Sequence, residues 1–340
     1  MKISFCIPCY NVADYINKCI ESFYATSLHE SDFEVICYND CSTDNTQEVL
    51  EHYARQHANF QVLQGDENAY IGGGRNACLR AAKGEYIWFV DADDMVVSEK
   101  VTDVLEIAQD HQLDVLAFNY KETDANGKVL KQPKVFTDSQ VMLGVEFVNK
   151  YFGENVMQNI GYPWRFLVRR QWLVMENITF AEQVCWEDTD WVLKILLLPQ
   201  SVMSISTAAY VHVKTDGAIS VSFNREYSAK KIYEYTIPVS ERLYDFAGLL
   251  SDYLSAENAK KYTTIIEKSI KKHYINRLSV YLCRTNRANR IEYHKIIRSM
   301  PPSKRIVENS STTTKLLYSV VGFQFSQLLA LVYRVKHLFK

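Results

Sequence analysis

Short apolar runs bounded by turn-forming residues alternate along this chain with longer segments whose apolar positions recur every three or four residues. The short runs, Ile3 to Ile7, Phe33 to Tyr38, Phe60 to Leu63, Tyr86 to Val90 and Val115 to Tyr120, predict strands. The recurring pattern, as in Tyr15, Ile16, Cys19, Ile20 and Phe23, predicts helices over Asn11 to Ala25, Asn45 to His57, a segment ending near Gly84, and Ser98 to Gln112. Pro8 is expected to stop the first strand, and Gly72-Gly73-Gly74 to free the backbone ahead of the third helix. Strands alternating with helices over ~120 residues imply βαβ units, hence an α/β fold with a doubly wound, mostly parallel sheet.

Farther on, Asn126-Gly127 marks a hairpin turn between Lys121 and Val135. Gly144 to Phe152 predicts a helix, Tyr162 to Val168 an extended segment, Cys185 to Asp188 the opening of another helix, and Val202 to Val213 one long strand or a strand pair. Beyond about Phe223 the texture turns to long Lys, Arg, Tyr and Leu segments with almost no Gly. The expected division is therefore 1–222, an α/β domain, and 223–340, a helical C-terminal region.

Charge sharpens that division. Residues 1–220 hold 17 Lys and Arg against 31 Asp and Glu, net −14, whereas 221–340 hold 21 against 9, net +12. An apolar stripe, Leu317, Val321, Phe325, Leu328, Val332, Val335 and Phe339, follows helical spacing and ends among Arg334, Lys336 and Lys340. That pairing predicts a helix lying on an anionic membrane surface, with a solvated basic bundle as the plainer reading. Nucleic acid is the poorer partner, because no recognition motif accompanies the charge. Composition is globular, with 47% hydrophobic and 23% charged residues. The eight scattered Cys read as core thiols of a reducing compartment, and the run after Met1-Lys2 is too short for a signal peptide. The expected location is cytoplasmic, peripheral on the inner face of the plasma membrane.

The chemistry gathers where the run Tyr86-Ile87-Trp88-Phe89-Val90 ends in Asp91-Ala92-Asp93-Asp94. A buried strand delivering carboxylates to the carboxyl edge of its sheet places them where open α/β sheets bind ligands. Asp-x-Asp is too small for a full cage and suits Mg²⁺ or Mn²⁺ completed by water and substrate phosphate. Alone, it reads more readily as a polar turn closing the strand.

Four blocks in order change that balance: F-C-I-P-C-Y-N at 5–11, Y-N-D-C-S-T-D-N-T at 38–46, N-A-Y-I-G-G-G-R-N at 68–76 and G-E-Y-I-W-F-V-D-A-D-D at 84–94. Together they resemble glycosyltransferase family 2, inverting enzymes of the GT-A fold, over roughly the first 220 residues. One departure stands out: Cys41 lies where the family pattern has Gly after the acid. The resemblance implies a nucleotide-sugar donor, probed first as a UDP-sugar, and a glycan or lipid-linked acceptor in cell-surface polysaccharide synthesis. It implies that Pro8, Tyr10, Asp40 and Arg75 frame the nucleotide, that Asp91 holds ribose or metal-bound water, that Asp93 holds the metal, and that Asp94 orients its neighbours.

A fifth segment, Trp186-Glu187-Asp188-Thr189-Asp190-Trp191, resembles the family's Glu-Asp pair near the acceptor. It implies Asp188 as the base, its basicity raised by an apolar wall that includes Trp186 and Trp191, with Glu187 as an acceptor contact. An acidic helix start is the plainer explanation. Tyr162 to Phe166 resembles a Trp-x-Lys-Leu segment, implying Trp164 as a sugar-stacking or packing residue and Arg165 as a diphosphate or acceptor contact. The stretch 210–220 resembles a closing segment, implying His212 as a further metal ligand and Lys214 as a diphosphate clamp, although a lone strand His is commonly structural. Two rivals stay open: a sugar nucleotidyltransferase, and a non-catalytic glycan- or membrane-binding protein of the same fold.

Overall fold

The computed structural model describes residues 1–159, 162–214 and 229–270. The chain divides into two compact units, one of residues 1–183 and 187–218, the other of 184–186 and 219–340.

In the first unit the order is β1 (Ile3–Cys9), α1 (Ile16–Tyr24), β2 (Phe33–Asn39), α2 (Thr46–Gln56), β3 (Phe60–Gln64), α3 (Tyr70–Ala81), β4 (Tyr86–Phe89), β5 (Met95–Val96), α4 (Ser98–Asp110) and β6 (Val115–Thr123). Then come β7 (Val129–Lys131), α5 (Gly144–Tyr151), α6 (Val156–Asn159), β8 (Phe166–Arg169), α7 (Arg170–Met175), α8 (Thr189–Leu197) and β9 (Val202–Val213). One sheet runs β3-β2-β1-β4-β8-β6-β9-β5, with β7 on β6. Its β3-β2-β1-β4 half is parallel. Beyond β4 it is mixed, because β8 runs antiparallel to both β4 and β6 while β9 returns parallel to β6.

The central strands are apolar because helices cover both faces, which is why they read as continuous runs. Every residue of β2 and β4 is buried. Phe5 stacks on Phe23 at 4.4 Å, and Trp88 meets Phe118 at 4.7 Å, so rings from β1, α1, β4 and β6 share one core.

Several local expectations need correction. Pro8 does not stop β1, which continues to Cys9, with Pro8 opposite Tyr38. Gly72 to Gly74 lie inside α3 rather than ahead of it. They serve close packing: a Cβ on Gly72 would strike the Ala181 carbonyl and the Glu187 side chain. The expected extended segment at 162–168 begins with a tight 3₁₀ turn, Pro163–Arg165, and only then enters β8. The helix expected to open at Cys185 starts at Thr189, after Gln183 and Trp186 take φ of +58° and +62°. The hairpin at Asn126-Gly127 forms between β6 and β7, with Gly127 at φ +82°.

The second unit contains the helices Ala229–Tyr253 and Ala256–Ser269. Ser255 caps the second through the Asn258 N–H, and the Thr263 hydroxyl donates to the Ala247 carbonyl at 3.0 Å. No helix among the described residues is long and apolar enough to cross a membrane. The stripe from Leu317 to Phe339 lies outside the described residues.

Candidate active site

The loops that follow β1 and β2 are laced together at the carboxyl edge of the sheet. The Asn11 N–H donates to Ser42 Oγ, the Thr43 N–H to Asn11 Oδ1, and the Val12 N–H to Thr46 Oγ1. Cys41, where the family pattern has Gly, adopts φ +59° and its thiol donates to the Gly65 carbonyl at 3.3 Å. A left-handed backbone without glycine is uncommon, so this turn is held by its contacts. Tyr10 is half exposed on that edge. Asp40 is buried, and its Oδ1 accepts the Ala69 N–H at 2.6 Å, ahead of α3. Burial pushes its pKa up, while the Ala69 and Tyr70 N–H groups hold it down.

Just past the end of β4, the three acids Asp91, Asp93 and Asp94 have distinct surroundings. Asp91 is partly exposed; its N–H donates to the Tyr210 hydroxyl at 3.1 Å. Asp93 has its pKa pushed up to about 6 by burial, then by the charges of Asp94 and Asp91. Asp94 is buried and fully engaged, accepting from Tyr210 Oη at 2.8 Å and the Val213 N–H at 2.7 Å, with His212 Nδ1 at 3.2 Å. It therefore pins the end of β9 to the end of β4. Its contact with His212 Nδ1 also holds that ring in place.

Arg75 connects this edge to the distant acidic pair. Although 112 residues separate Arg75 and Glu187 in sequence, Nη1 donates to Glu187 Oε1 at 2.6 Å, while Nη2 donates to Asp91 Oδ1 at 2.8 Å. The guanidinium is buried and lies over the Phe180 ring at 5.2 Å. Burial disfavours its charge, but Asp91, Glu187 and Asp188 outweigh that and hold its pKa above the ordinary arginine value. Arg75 thus sits under the acids, with both ends of its fork committed, instead of standing open to a base.

One guanidinium cannot neutralise three carboxylates. Burial first, then Asp188, raises Glu187 to about 7, and burial likewise raises Asp188 against the pull of Arg75. The Glu187–Asp188 pair therefore holds a proton near neutrality, and its titration belongs to the pair. Asp188 occupies the N-cap position of α8 without capping it by its side chain. Trp191 belongs to the packing behind the site: it is buried, stacks on Phe180 at 4.5 Å and meets Phe89 edge-on at 5.4 Å.

A column of rings forms the far wall. Trp164 is buried with Tyr162 stacked on it at 5.1 Å and Tyr210 at 4.4 Å, and His212 lies near-parallel at 5.7 Å. Trp164 is therefore a packing residue, and the exposed ring of the column is Tyr162, 56% exposed. Arg165 is buried between Tyr120 and Phe136, and Lys214 is exposed, with Nζ 2.9 Å from Glu122. Sequence reasoning missed Tyr210 and Tyr162 as site residues; only their place in the two quoted segments could have flagged them.

The family model described as "Glycosyl transferase family 2" matches residues 4–179. The chain belongs to glycosyl transferase family 2. Among curated relatives of this family 2 chain, the uncharacterized glycosyltransferase EpsJ of Bacillus subtilis is 28% identical over 219 residues, 64% of this chain and 62% of EpsJ. The poly(ribitol-phosphate) beta-glucosyltransferase of Bacillus spizizenii is 35% identical over 128 residues, 37% of this chain and 20% of the relative. The chain thus spans less than two thirds of the length of these relatives. Among solved structures, Staphylococcus aureus TarS 1–349 in complex with UDP-GlcNAc superposes with a TM-score of 0.67 at 22% identity, over 96% of this chain and 88% of that one. The mannosyltransferase PcManGT from Pyrobaculum calidifontis, in complex with GDP-Man and Mn²⁺, gives 0.51 at 14%, over 88% and 81%. At those identities the likeness is one of fold, and the fold is GT-A.

The residues fit a hard divalent ion in one respect, the oxygen donors of Asp91 and Asp93, whose mutual repulsion a cation relieves. Among the described residues no cluster of three or more His, Cys, Asp or Glu is assembled as a cage.

Proposed function

We propose that this chain is a metal-dependent, inverting glycosyltransferase. It moves a sugar from a nucleotide sugar of the UDP type to a hydroxyl of a glycan or lipid-linked acceptor in surface polysaccharide synthesis. The observation that carries the reading is the Asp91–Arg75–Glu187 bridge, which ties the carboxyl edge of β4 to the acids at the start of α8. Family membership and the GT-A fold support it. So does the TarS structure with UDP-GlcNAc, the ground for choosing UDP.

In this reading Pro8, Tyr10 and Asp40 frame the base, while Asp91 and Asp93 hold Mg²⁺ or Mn²⁺, assisted by His212. The ion, when bound, neutralises the donor's diphosphate. Asp188 takes the acceptor hydroxyl's proton as that oxygen attacks the anomeric carbon from the face opposite the diphosphate. The new C–O bond forms as the bond to phosphate breaks, and the nucleoside diphosphate leaves with the electron pair. A carboxylate raised by burial is the stronger base. Arg75 holds Glu187 in place beside it. The basic region 223–340 docks the enzyme on an anionic membrane; a chain truncated before Lys315 should lose sedimentation with anionic vesicles, and equal binding would remove that part.

The test is a panel of nucleotide sugars assayed with Mn²⁺ for slow hydrolysis. Release of nucleoside diphosphate from one of them is the expected result. Pyrophosphate release would assign a nucleotidyltransferase, and no turnover with any donor would favour a non-catalytic binding protein.

A further inference from the structure

The turn that carries the three acids is closed at both ends by one hydroxyl. The Val90 N–H still finds a partner on the neighbouring strand, the Cys6 carbonyl at 3.0 Å. One residue on, the chain has left the sheet, and the part-buried Asp91 N–H needs another acceptor. Tyr210 Oη supplies it at 3.1 Å, and the same hydroxyl donates to Asp94 Oδ2 at 2.8 Å. Chemistry fixes the direction of both bonds, since an amide N–H only donates and a carboxylate only accepts. Within the turn the Asp94 N–H donates to the Asp91 carbonyl at 3.0 Å. Tyr210 therefore joins the first and last acids of the turn from outside it, 116 residues from Asp94 in sequence.

The hydroxyl is itself held in place. Tyr210 is completely buried and lies in β9 between two partner strands, opposite Tyr120 of β6 and Val96 of β5. Its ring stacks on Trp164 at 4.4 Å with 6° between the planes. The Trp164 carbonyl in turn accepts from Trp88 Nε1 at 3.0 Å, which ties the stack back to β4. Asp94 is secured a second time by the Val213 N–H at 2.7 Å, and Asp91 by Arg75 Nη2 at 2.8 Å. These bonds, all internal to the fold, fall on either side of Asp93, whose carboxylate takes none of them. A phenylalanine would pack on Trp164 equally well, so what the tyrosine adds is the pair of bonds made by its hydroxyl.

We propose that Tyr210 is a positioning residue for the divalent ion: by holding Asp91 and Asp94, its hydroxyl sets the spacing at which Asp91 and Asp93 meet the ion. This rests on the reading of Asp91 and Asp93 as the acids of the ion, and adds to it a group that acts through the turn. Loss of the neutral hydroxyl leaves the charges of the site unaltered and frees the turn, so its effect falls on ion affinity. Groups that orient metal-binding side chains carry about 10- to 100-fold in metal affinity. Tyr86, at the opposite end of β4, supplies the contrast. It is also completely buried, and its hydroxyl donates to the Ala108 carbonyl at 2.7 Å and accepts from Arg169 Nη2 at 3.2 Å, away from the acids.

The experiment titrates UDP calorimetrically into the full chain, once with Mn²⁺ and once with EDTA, for the wild type, Tyr210→Phe and Tyr86→Phe. In the wild type Mn²⁺ should tighten UDP binding. Tyr210→Phe should weaken binding in Mn²⁺ on the order of tenfold and leave binding in EDTA unchanged. Tyr86→Phe should match the wild type in both, although each variant loses a buried hydroxyl and should melt below the wild type. Ion affinity is thus the readout that separates positioning from packing. A wild-type response to Mn²⁺ in Tyr210→Phe, an equal loss in EDTA, or the same loss of response in Tyr86→Phe would overturn the proposal alone. A wild type that binds UDP without responding to Mn²⁺ would remove the ion reading and the proposal with it, and one that binds no UDP would remove the nucleotide reading as well. If Tyr210→Phe does not fold, the unliganded wild type decides. Its Asp91 amide proton, followed by NMR, should exchange slowly, as a bonded one does, and fast exchange would show that the turn is not held and overturn the proposal.

Discussion

Arg75 and Arg165 are equally hidden, at 3% and 5% exposure, and both lie over aromatic rings, but they differ in their polar partners. Arg75 is bonded at both ends of its fork to carboxylates from two different parts of the chain. Arg165 rests between two aromatic faces with nothing to donate to. The difference separates two uses of a buried cation. One is an internal brace, with both Nη groups bonded to carboxylates and only Nε left without a partner. The other is a buried cation whose contacts among the described residues are two ring faces. Lysine could serve neither as well, because both sites need a planar fork or a flat face against a ring.

The comparison is broken most severely by Arg75→Met. That change strands Asp91 and Glu187 without their shared counter-charge, and loss of one partner of a buried pair costs about 3–5 kcal/mol. Denaturant unfolding should report a loss of that order. The same substitution at Arg165 should report none, and equal losses at the two positions would erase the distinction.

A smaller effect follows from the shared proton. Glu187 in the fold has a pKa of about 7, above the ordinary 4.5. Between those values the unfolded chain has released the proton and the folded chain retains it, so stability falls as pH rises from about 4.5 to about 7 and then levels off. The slope should amount to something on the order of 2 kcal/mol across the window. Glu187→Gln should lessen it, leaving the part contributed by Asp93, which is raised to about 6. A melting temperature that rises over that window in the wild type would contradict the assignment.

The smallest expected effect uses Arg75→Lys. A point charge keeps the sign but cannot bridge Asp91 and Glu187 bidentately, so the loss should be partial, about 1–2 kcal/mol. Full retention of stability and turnover would mean that only charge matters at this position.

How much of this was readable beforehand depended on range. Run length and termination placed β1, β2, β4 and their acids at one sheet edge, because local periodicity reports strands directly. The brace was not readable, since Arg75 meets Glu187 across 112 positions and Tyr210 meets Asp94 across 116, and no spacing rule spans such distances. The burial of Arg165 was not readable for a local reason. An extended reading of 162–168 alternates side chains between the two faces, whereas the 3₁₀ turn at Pro163–Arg165 buries both Trp164 and Arg165. The glycines of α3 misled similarly: they were expected to free the backbone ahead of the helix and instead lie inside it, where Gly72 allows close approach of Ala181 and Glu187. Cys41 was the opposite case, a departure from the family pattern that the turn absorbs by adopting the glycine-like backbone anyway.

The central claim is that the braced acids at the start of α8 act on the acceptor while the end of β4 holds the donor. Asp188→Asn tests it most directly, in single-turnover reactions with saturating donor and acceptor alongside calorimetric UDP binding. The account predicts a fall in turnover of ~10²–10⁴, the loss expected of a missing general base, with UDP affinity nearly unchanged. A comparable loss of UDP affinity with turnover of bound donor unaltered would place Asp188 on the donor side and contradict it.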